Sequence, residues 1–312
     1  MKPRMKHVSV LGHGGFRKLA YLEWGSESAT RTIICVHGVS RSGRDFDALA
    51  SVLAKDNRVV VPDLPGRGRS DWLASATHYT DRAYMGAMSA LIARLDVEQV
   101  DWVGTSLGGH IGMMLAAQHA TPIRRLVLND FGARVSSVAL RRIGGYLNRR
   151  WHFDSLEELD AHLRDALAPF GKLSDVEWRH LATHSAVPDE QGGWRFHFDP
   201  AIGHRFSIPM WLDVVLWPLW EEIDCPVLVL RGEHSDLLSA ETVQSMLERG
   251  RAAKAGKVTA VEFADCGHAP ALMDPLQISV VREFLAEPSG TRKPRPAGSS
   301  RLRAAPTQVS LS

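Results

Sequence analysis

The stretch Val103-Gly104-Thr105-Ser106-Leu107-Gly108-Gly109 decides the fold. The apolar run at 99–103 is typical of a buried strand, and residues 110–117 are typical of a helix. The Gly-x-Ser-x-Gly pattern therefore stands where a strand turns sharply into a helix, a turn that lifts the serine hydroxyl above the sheet edge. A side chain at Gly104 or Gly108 would collide with the neighbouring strand or helix. The pattern predicts that Ser106 is a nucleophile.

Strands and helices alternate along the first half of the chain. The β-branched run Thr32–Val36 is typical of a strand buried on both faces, and the Gly12–Gly15 cluster predicts an antiparallel hairpin at the start. The alternation predicts an α/β fold with a mostly parallel sheet flanked by helices. The predicted strands are 7–11, 18–24, 32–36, 59–61, 99–103 and 126–128, and the predicted helices are 45–55, 81–95 and 110–117.

The alternation breaks between residues 131 and 222. Three stretches there have helical periodicity and no segment reads as a central strand, whereas strands return at 227–231 and 258–263. We therefore expect residues 131–222 to form a helical cap, inserted after the sixth strand into a core made of residues 1–130 and 223–286. The helical stretches are 138–147, 156–167 and 175–183.

Composition narrows the class of protein. The chain has 312 residues and a net charge of +2, and no run approaches the ~20 apolar residues that a membrane span needs. The residues after Glu287 contain five basic and no acidic side chains, with prolines and glycines between them, so we expect 287–312 to be a disordered basic tail. The rest of the chain offers no basic surface for nucleic acid. With no apolar leader at the start, a cytoplasmic location is expected.

The serine needs a base and an acid. A hydroxyl becomes nucleophilic when a histidine, itself held by a carboxylate, removes its proton, and in this architecture the order along the chain is serine, acid, histidine. His268 lies after the last predicted strand and is the expected base. Asp236, after the strand that follows the cap, is the expected acid, and Asp130, after the preceding strand, is the alternative.

Two backbone amides are candidates for stabilising an oxyanion. The Leu107 N–H lies at the start of a helix, where the helix dipole favours negative charge. The Val39 N–H follows the third strand, and we expect His37 and Gly38 to shape that loop. Three scattered cysteines are too few for a disulfide framework or a metal cluster, so no metal is expected.

The expected cap is rich in tryptophan. It holds six of the nine in the chain, and most of these should form its own core. One or two should face Ser106 and line an apolar substrate pocket, the candidates being Trp151, Trp178, Trp211 and Trp217. Three arginines near its start could bind a substrate carboxylate, although such residues usually face solvent: Arg134, Arg141 and Arg142.

Several motifs together resemble the α/β-hydrolase superfamily, and its bacterial carboxylesterase and enol-lactonase branch most. Their order and spacing match over residues 8–286. The resemblance implies an eight-stranded sheet with a cap, and no cofactor. The matching motifs are His37-Gly38, Asp63–Ser70, the stretch around Ser106, Leu128-Asn129-Asp130, Leu230–Glu233 and Gly267-His268.

We therefore expect a serine hydrolase that cleaves carboxylic esters with small to medium apolar groups through an acyl-enzyme. Its partner would be a small-molecule ester, and the oligomeric state stays open. Ser106 excludes the branches that attack with an aspartate, namely the haloalkane dehalogenases and epoxide hydrolases. Carbon–carbon bond hydrolysis of diketone acids, lactone hydrolysis and perhydrolysis remain alternatives, since the same three residues serve them. A non-catalytic ligand-binding protein is a further alternative.

Overall fold

The computed structural model describes residues 2–206 and 211–286, so the predicted tail lies outside the described residues. The strands are β1 (Arg4–Gly12), β2 (Gly15–Trp24), β3 (Thr32–Val36), β4 (Arg58–Pro62), β5 (Val100–Thr105), β6 (Ile123–Asn129), β7 (Arg134–Val135), β8 (Ala186–Pro188), β9 (Trp194–Phe196), β10 (Val214–Val215), β11 (Val227–Gly232) and β12 (Val258–Phe263). The α-helices are α1 (Asp47–Leu53), α2 (Asp81–Leu95), α3 (Leu107–Ala116), α4 (Ser137–Leu147), α5 (Leu156–Ala166), α6 (Asp175–Ser185), α7 (Trp217–Glu222), α8 (Ala240–Glu248), α9 (Arg251–Lys254) and α10 (Pro275–Ala286).

Eight of these strands form one sheet in the order β1-β2-β4-β3-β5-β6-β11-β12. The pairs β1–β2 and β2–β4 are antiparallel, and every other neighbouring pair in this sheet is parallel. The expected hairpin and the expected mostly parallel, eight-stranded sheet flanked by helices are therefore confirmed.

The sheet has a hydrophobic core on each face. In β3, Ile34 and Val36 pack into one core while Ile33 and Cys35 pack into the other, and all four are almost fully buried. Successive side chains of a strand point to opposite faces, so a strand with helices on both sides must be apolar at every position. This explains the continuous β-branched run in the sequence.

Residues 131–222, here called the inserted segment, connect β6 to β11. They contain α4 to α7 and two short antiparallel strand pairs, β7–β10 and β8–β9. Hydrogen bonds tie the segment to core loops: Tyr79 Oη donates to Asp199 Oδ2 at 2.6 Å, and the Gly267 N–H donates to the Pro169 carbonyl at 2.7 Å.

The carboxyl ends of the parallel strands meet at one edge of the sheet. The loops after β5, β6, β11 and β12 lie side by side there, because these four strands are consecutive neighbours. Side chains from these loops form the site described next. In the part of the chain that the structure describes, no helix combines the length and apolarity needed to cross a membrane.

Candidate active site

Ser106 sits on the turn between β5 and α3. Its backbone has φ 52° and ψ −113°, a conformation that costs about 1–3 kcal/mol for a residue with a side chain. A Cβ at Gly104 would lie 2.3 Å from the Gly108 carbonyl carbon, and one at Gly108 would lie 2.0 Å from the Val36 oxygen. Only glycine fits at both positions. The sharp turn that the sequence predicts is therefore present, and it depends on the absence of side chains at Gly104 and Gly108.

Three side chains form a hydrogen-bonded chain at this edge of the sheet. Ser106 Oγ lies 3.0 Å from His268 Nε2, and His268 Nδ1 lies 2.7 Å from Asp130 Oδ2. When Nδ1 carries the proton, the imidazole donates to the carboxylate and Nε2 is free to accept the serine proton. This is the arrangement that makes a serine hydroxyl nucleophilic.

The Asp130 side chain is fully buried, and its carboxylate accepts hydrogen bonds from three donors. Oδ1 accepts from the Gly232 N–H at 3.0 Å, and Oδ2 accepts from Ser235 Oγ at 2.6 Å as well as from His268. These donors compensate for the water that a buried carboxylate loses. No sequence motif marks Ser235, although it immediately precedes Asp236, the expected acid.

The prediction that Asp236 holds the histidine is wrong. Its carboxylate instead accepts two hydrogen bonds from Arg142, at 2.8 and 2.9 Å, and its side chain is 43% exposed. Ser235 Oγ accepts from two following backbone N–H groups, so this turn directs Ser235 inward and Asp236 outward. Since β6 lies between β5 and β11, the residue that follows β6 is the one beside Ser106. The alternative, Asp130, occupies that place.

The loop after β3 brings Val39 to the wall of the cavity that contains Ser106. His37 is buried, its Nδ1–H donates to the Gly38 carbonyl at 2.7 Å, and its Nε2 accepts from the Leu64 N–H at 3.0 Å. Burial lowers the pKa of His37 to about 4, so the ring is neutral at pH 7, as these two bonds require. The Gly38 carbonyl and the Val39 N–H belong to one planar peptide and point in opposite directions. His37 therefore sets the direction of the Val39 N–H.

Arg67 holds the other side of this loop. It is fully buried, and its Nε donates to the Val39 carbonyl at 2.8 Å while Nη1 donates to Tyr84 Oη at 2.7 Å. Leu107 is the first residue of α3, so its N–H has no acceptor within the helix. Sequence reasoning found Arg67 only as part of a motif and gave it no role.

A cavity of about 110 Å³ lies beside Ser106 and is lined also by Val39 and Leu107. Ligand pockets commonly measure about 300–1,000 Å³, so this cavity suits a short group. Two polar side chains, His110 and Arg205, complete an otherwise apolar wall. A larger depression of about 820 Å³ beside β1 and α2 contains none of these residues. Besides Arg205, the inserted segment contributes the apolar side chains Phe131, Val135, Leu140, Ile143, Phe206, Val214 and Leu216.

The sequence model of the Alpha/beta hydrolase family matches residues 33–278. That range covers most of the sheet, the inserted segment and all three hydrogen-bonded side chains. The chain belongs to this family. The resemblance that the motifs indicate is thereby confirmed.

Individual relatives of this α/β hydrolase extend the likeness to nearly its whole length. The chain is 44% identical to the 3-hydroxybutyrate-oligomer hydrolase of Cupriavidus necator over 290 residues, which are 90% of this chain and 97% of that protein. Among solved structures, a putative hydrolase from Rickettsia typhi has a TM-score of 0.83 at 30% identity, covering 91% of this chain and 99% of that one. An α/β hydrolase from Novosphingobium aromaticivorans has a TM-score of 0.80 at 32% identity, with the same coverage.

The four tryptophans predicted to line the pocket of this α/β hydrolase lie elsewhere. Trp211 is 79% exposed, Trp178 packs in a separate small cluster, and Trp151 packs among other aromatic rings. The Trp217 ring lies beneath the Arg249 guanidinium, at 4.1 Å. None of the four lines the cavity beside Ser106, so this prediction is wrong. The apolar wall of the small cavity consists of aliphatic side chains together with Phe131 and Phe206, and the four indoles lie elsewhere in or on the inserted segment.

The arginines considered for a carboxylate also lie outside the cavity. Arg134 pairs with Asp213 at 2.8 Å, Arg142 pairs with Asp236, and the Arg141 guanidinium lies over the Trp211 ring. All three face solvent, as such residues usually do. Arg205, later in the inserted segment and in none of the matching motifs, does line the cavity.

We predict that Gly108→Ala destabilises the fold. The added methyl group would lie 2.0 Å from the Val36 carbonyl oxygen, and overpacking of this kind costs about 1–3 kcal/mol. Urea denaturation measures the loss. Gly86→Ala in α2 is the control, because its Cβ meets nothing within 4 Å. Equal stability of the two variants would contradict the close approach of α3 to β3.

We also predict that Asp130→Asn lowers kcat for an ester by about 10³- to 10⁴-fold, since an amide no longer selects the imidazole tautomer that accepts the Ser106 proton. Asp236→Asn is the matched control, and it should change kcat less than about threefold because it loses only an exposed ion pair. Steady-state kinetics on p-nitrophenyl butyrate compare the two. A large loss in the Asp236 variant, with Asp130→Asn active, would reverse the assignment.

Proposed function

We propose that this ester-acting hydrolase cleaves short esters of 3-hydroxy acids, including oligomers of 3-hydroxybutyrate, with Ser106 as nucleophile, His268 as base and Asp130 as the orienting acid. The observation that supports this most is the continuous hydrogen-bonded chain from Ser106 Oγ through the imidazole to a buried carboxylate, beside a small apolar cavity. The substrate class draws on the 44% identity to the Cupriavidus necator protein.

The first half of the reaction forms an acyl-enzyme. Ser106 Oγ attacks the ester carbonyl carbon while its proton passes to His268 Nε2, and Asp130 stabilises the imidazolium that results. The carbonyl oxygen becomes an oxyanion, and in this proposal the Val39 and Leu107 N–H groups bind it. A donor of this kind commonly contributes about 3 kcal/mol to the transition state.

Loss of the leaving group completes the acyl-enzyme, and hydrolysis then returns the enzyme to its starting state. As the tetrahedral intermediate collapses, the bond between the carbonyl carbon and the ester oxygen breaks, and the leaving alkoxide takes the proton from His268. Water then attacks the acyl-serine with His268 again as base, and Ser106 leaves with that proton. The net change is one ester and one water converted into one alcohol and one acid.

We further propose that the inserted segment acts as a cap. It supplies most of the apolar wall of the cavity, so it would exclude water from the reacting ester and limit the length of the group beside Ser106. Each buried methylene stabilises the bound group by about 0.8 kcal/mol until the space is filled, and overpacking then reverses the gain. A preference for short chains follows.

The test is a substrate panel. We expect hydrolysis of p-nitrophenyl butyrate and of 3-hydroxybutyrate dimer and trimer, with kcat/KM falling as the straight-chain alcohol of a 3-hydroxybutyrate ester is lengthened. Ser106→Ala should lower kcat by at least about 10⁴-fold without loss of thermal stability, because it removes the nucleophile alone. The panel also includes a lactone and a diketone acid. Faster cleavage of the diketone acid than of any ester would favour the carbon–carbon hydrolase alternative, and no turnover of any ester would contradict the proposal.

A further inference from the structure

One wall of the cavity beside Ser106 is charged. Arg205 and His110 interrupt a lining that is otherwise apolar apart from Ser106 itself. A guanidinium in such a wall is costly unless its donors are matched by acceptors, because it loses hydration without full compensation. The Arg205 side chain is 30% exposed and paired with Asp81, and it places a positive charge in the wall of the cavity that holds Ser106.

Arg205 is only partly satisfied by its neighbours. Its Nη2 donates to Asp81 Oδ1 at 2.9 Å, and Asp81 Oδ2 lies 3.2 Å from His110 Nε2. Hydrogen bonding to His110, with the nearby Arg205 charge, holds the pKa of Asp81 well below its usual range. Arg205 Nη1 is buried and has no hydrogen-bond partner among the residues that the structure describes. Asp81 therefore accepts a hydrogen bond from one nitrogen of the guanidinium, whereas the N–H groups of Nη1 have no acceptor among the described residues.

We propose that Arg205 binds the free carboxylate at the acid end of the substrate, an inference that rests on the proposed function. A carboxylate is the acceptor that best matches the planar donors of a guanidinium. Asp81 orients the guanidinium, and the apolar wall holds the methyl and methylene groups of the same unit.

This placement fixes which end of an oligomer is cleaved. The acyl side of the scissile ester cannot carry a free carboxylate, since its carboxyl carbon is the one that Ser106 attacks. The free carboxylate belongs to the leaving side. In a terminal 3-hydroxybutyrate unit, two carbon atoms separate it from the ester oxygen. A cavity of about 110 Å³ has little room for a longer leaving group. The enzyme should therefore release monomers one at a time from the acid end.

The experiment compares three trimers of 3-hydroxybutyrate: the free acid, its methyl ester and the hydroxyl-end acetate. We expect wild-type kcat/KM to be about 10- to 100-fold higher for the free acid than for the methyl ester, the range typical of a charge-assisted hydrogen bond. The acetate should match the free acid, and early products should be monomer and dimer. Arg205→Gln should reduce the acid-to-ester ratio towards one, and Arg205→Lys should restore part of it because the charge returns without the planar donors.

Arg142→Gln is the matched control, because Arg142 also pairs with an aspartate but lies outside the cavity. It should keep the wild-type ratio. If Arg205 only ties its loop to α2, Arg205→Gln will slow the free acid and the methyl ester equally and lower the melting temperature. That result, or an unchanged ratio, overturns the proposal.

A second measurement separates this proposal from the proposed function. If wild type cleaves no trimer, the oligomer substrate is wrong, and the Arg205 site is tested by inhibition of p-nitrophenyl butyrate hydrolysis with 3-hydroxybutyrate. The site predicts competitive inhibition whose constant rises about 10- to 100-fold in Arg205→Gln. An inhibition constant that is the same in both proteins overturns the site by itself. Trimer cleavage without any acid preference overturns the site and leaves the proposed function standing.

Discussion

The hydrogen bond between His268 Nδ1 and Asp130 is the interaction on which the rest of the site depends. It joins the loop after β12 to the end of β6, and through His268 Nε2 it reaches Ser106 at the end of β5. A fully buried carboxylate is tolerated only with several donors, and the loop after β11 supplies two of them through Gly232 and Ser235. Four neighbouring strands thus contribute to one polar network, and the site forms only when the sheet does.

The surrounding sheet also holds the strained backbone of Ser106 and the buried polar side chains near it. The left-handed backbone of Ser106 persists because Gly104 and Gly108 let the helix and strand approach closely, and the surrounding sheet fixes both. On the opposite side, neutral His37 and buried Arg67 fix the neighbouring Gly38 and Val39 carbonyl groups. The backbone that carries the proposed oxyanion donor of Val39 is therefore held before any substrate binds, and donors held in advance are the effective ones.

The sequence predicts the sheet, its order of elements and the Ser106–His268 pair because each leaves a local signal: an apolar run, a glycine pattern or a loop position. The acid leaves no such signal. Asp130 and Asp236 both follow strands, and the choice depends on β6 lying beside β5 and on the turn at Ser235, which are properties of the assembled sheet. The residues that line the pocket are harder to predict, since an abundance of tryptophan in a segment does not indicate which side chains face inward. Arg205 lines the cavity but belongs to no motif.

The central claim is that Asp130 holds the imidazole of His268, and proton NMR tests it without relying on turnover. A proton shared between a ring nitrogen and a buried carboxylate resonates far downfield and exchanges slowly with water. We expect one such resonance in the wild type, absent in His268→Ala and Asp130→Asn and retained in Asp236→Asn. Retention of the resonance in Asp130→Asn, or its loss in Asp236→Asn, would show that Asp130 does not hold the imidazole.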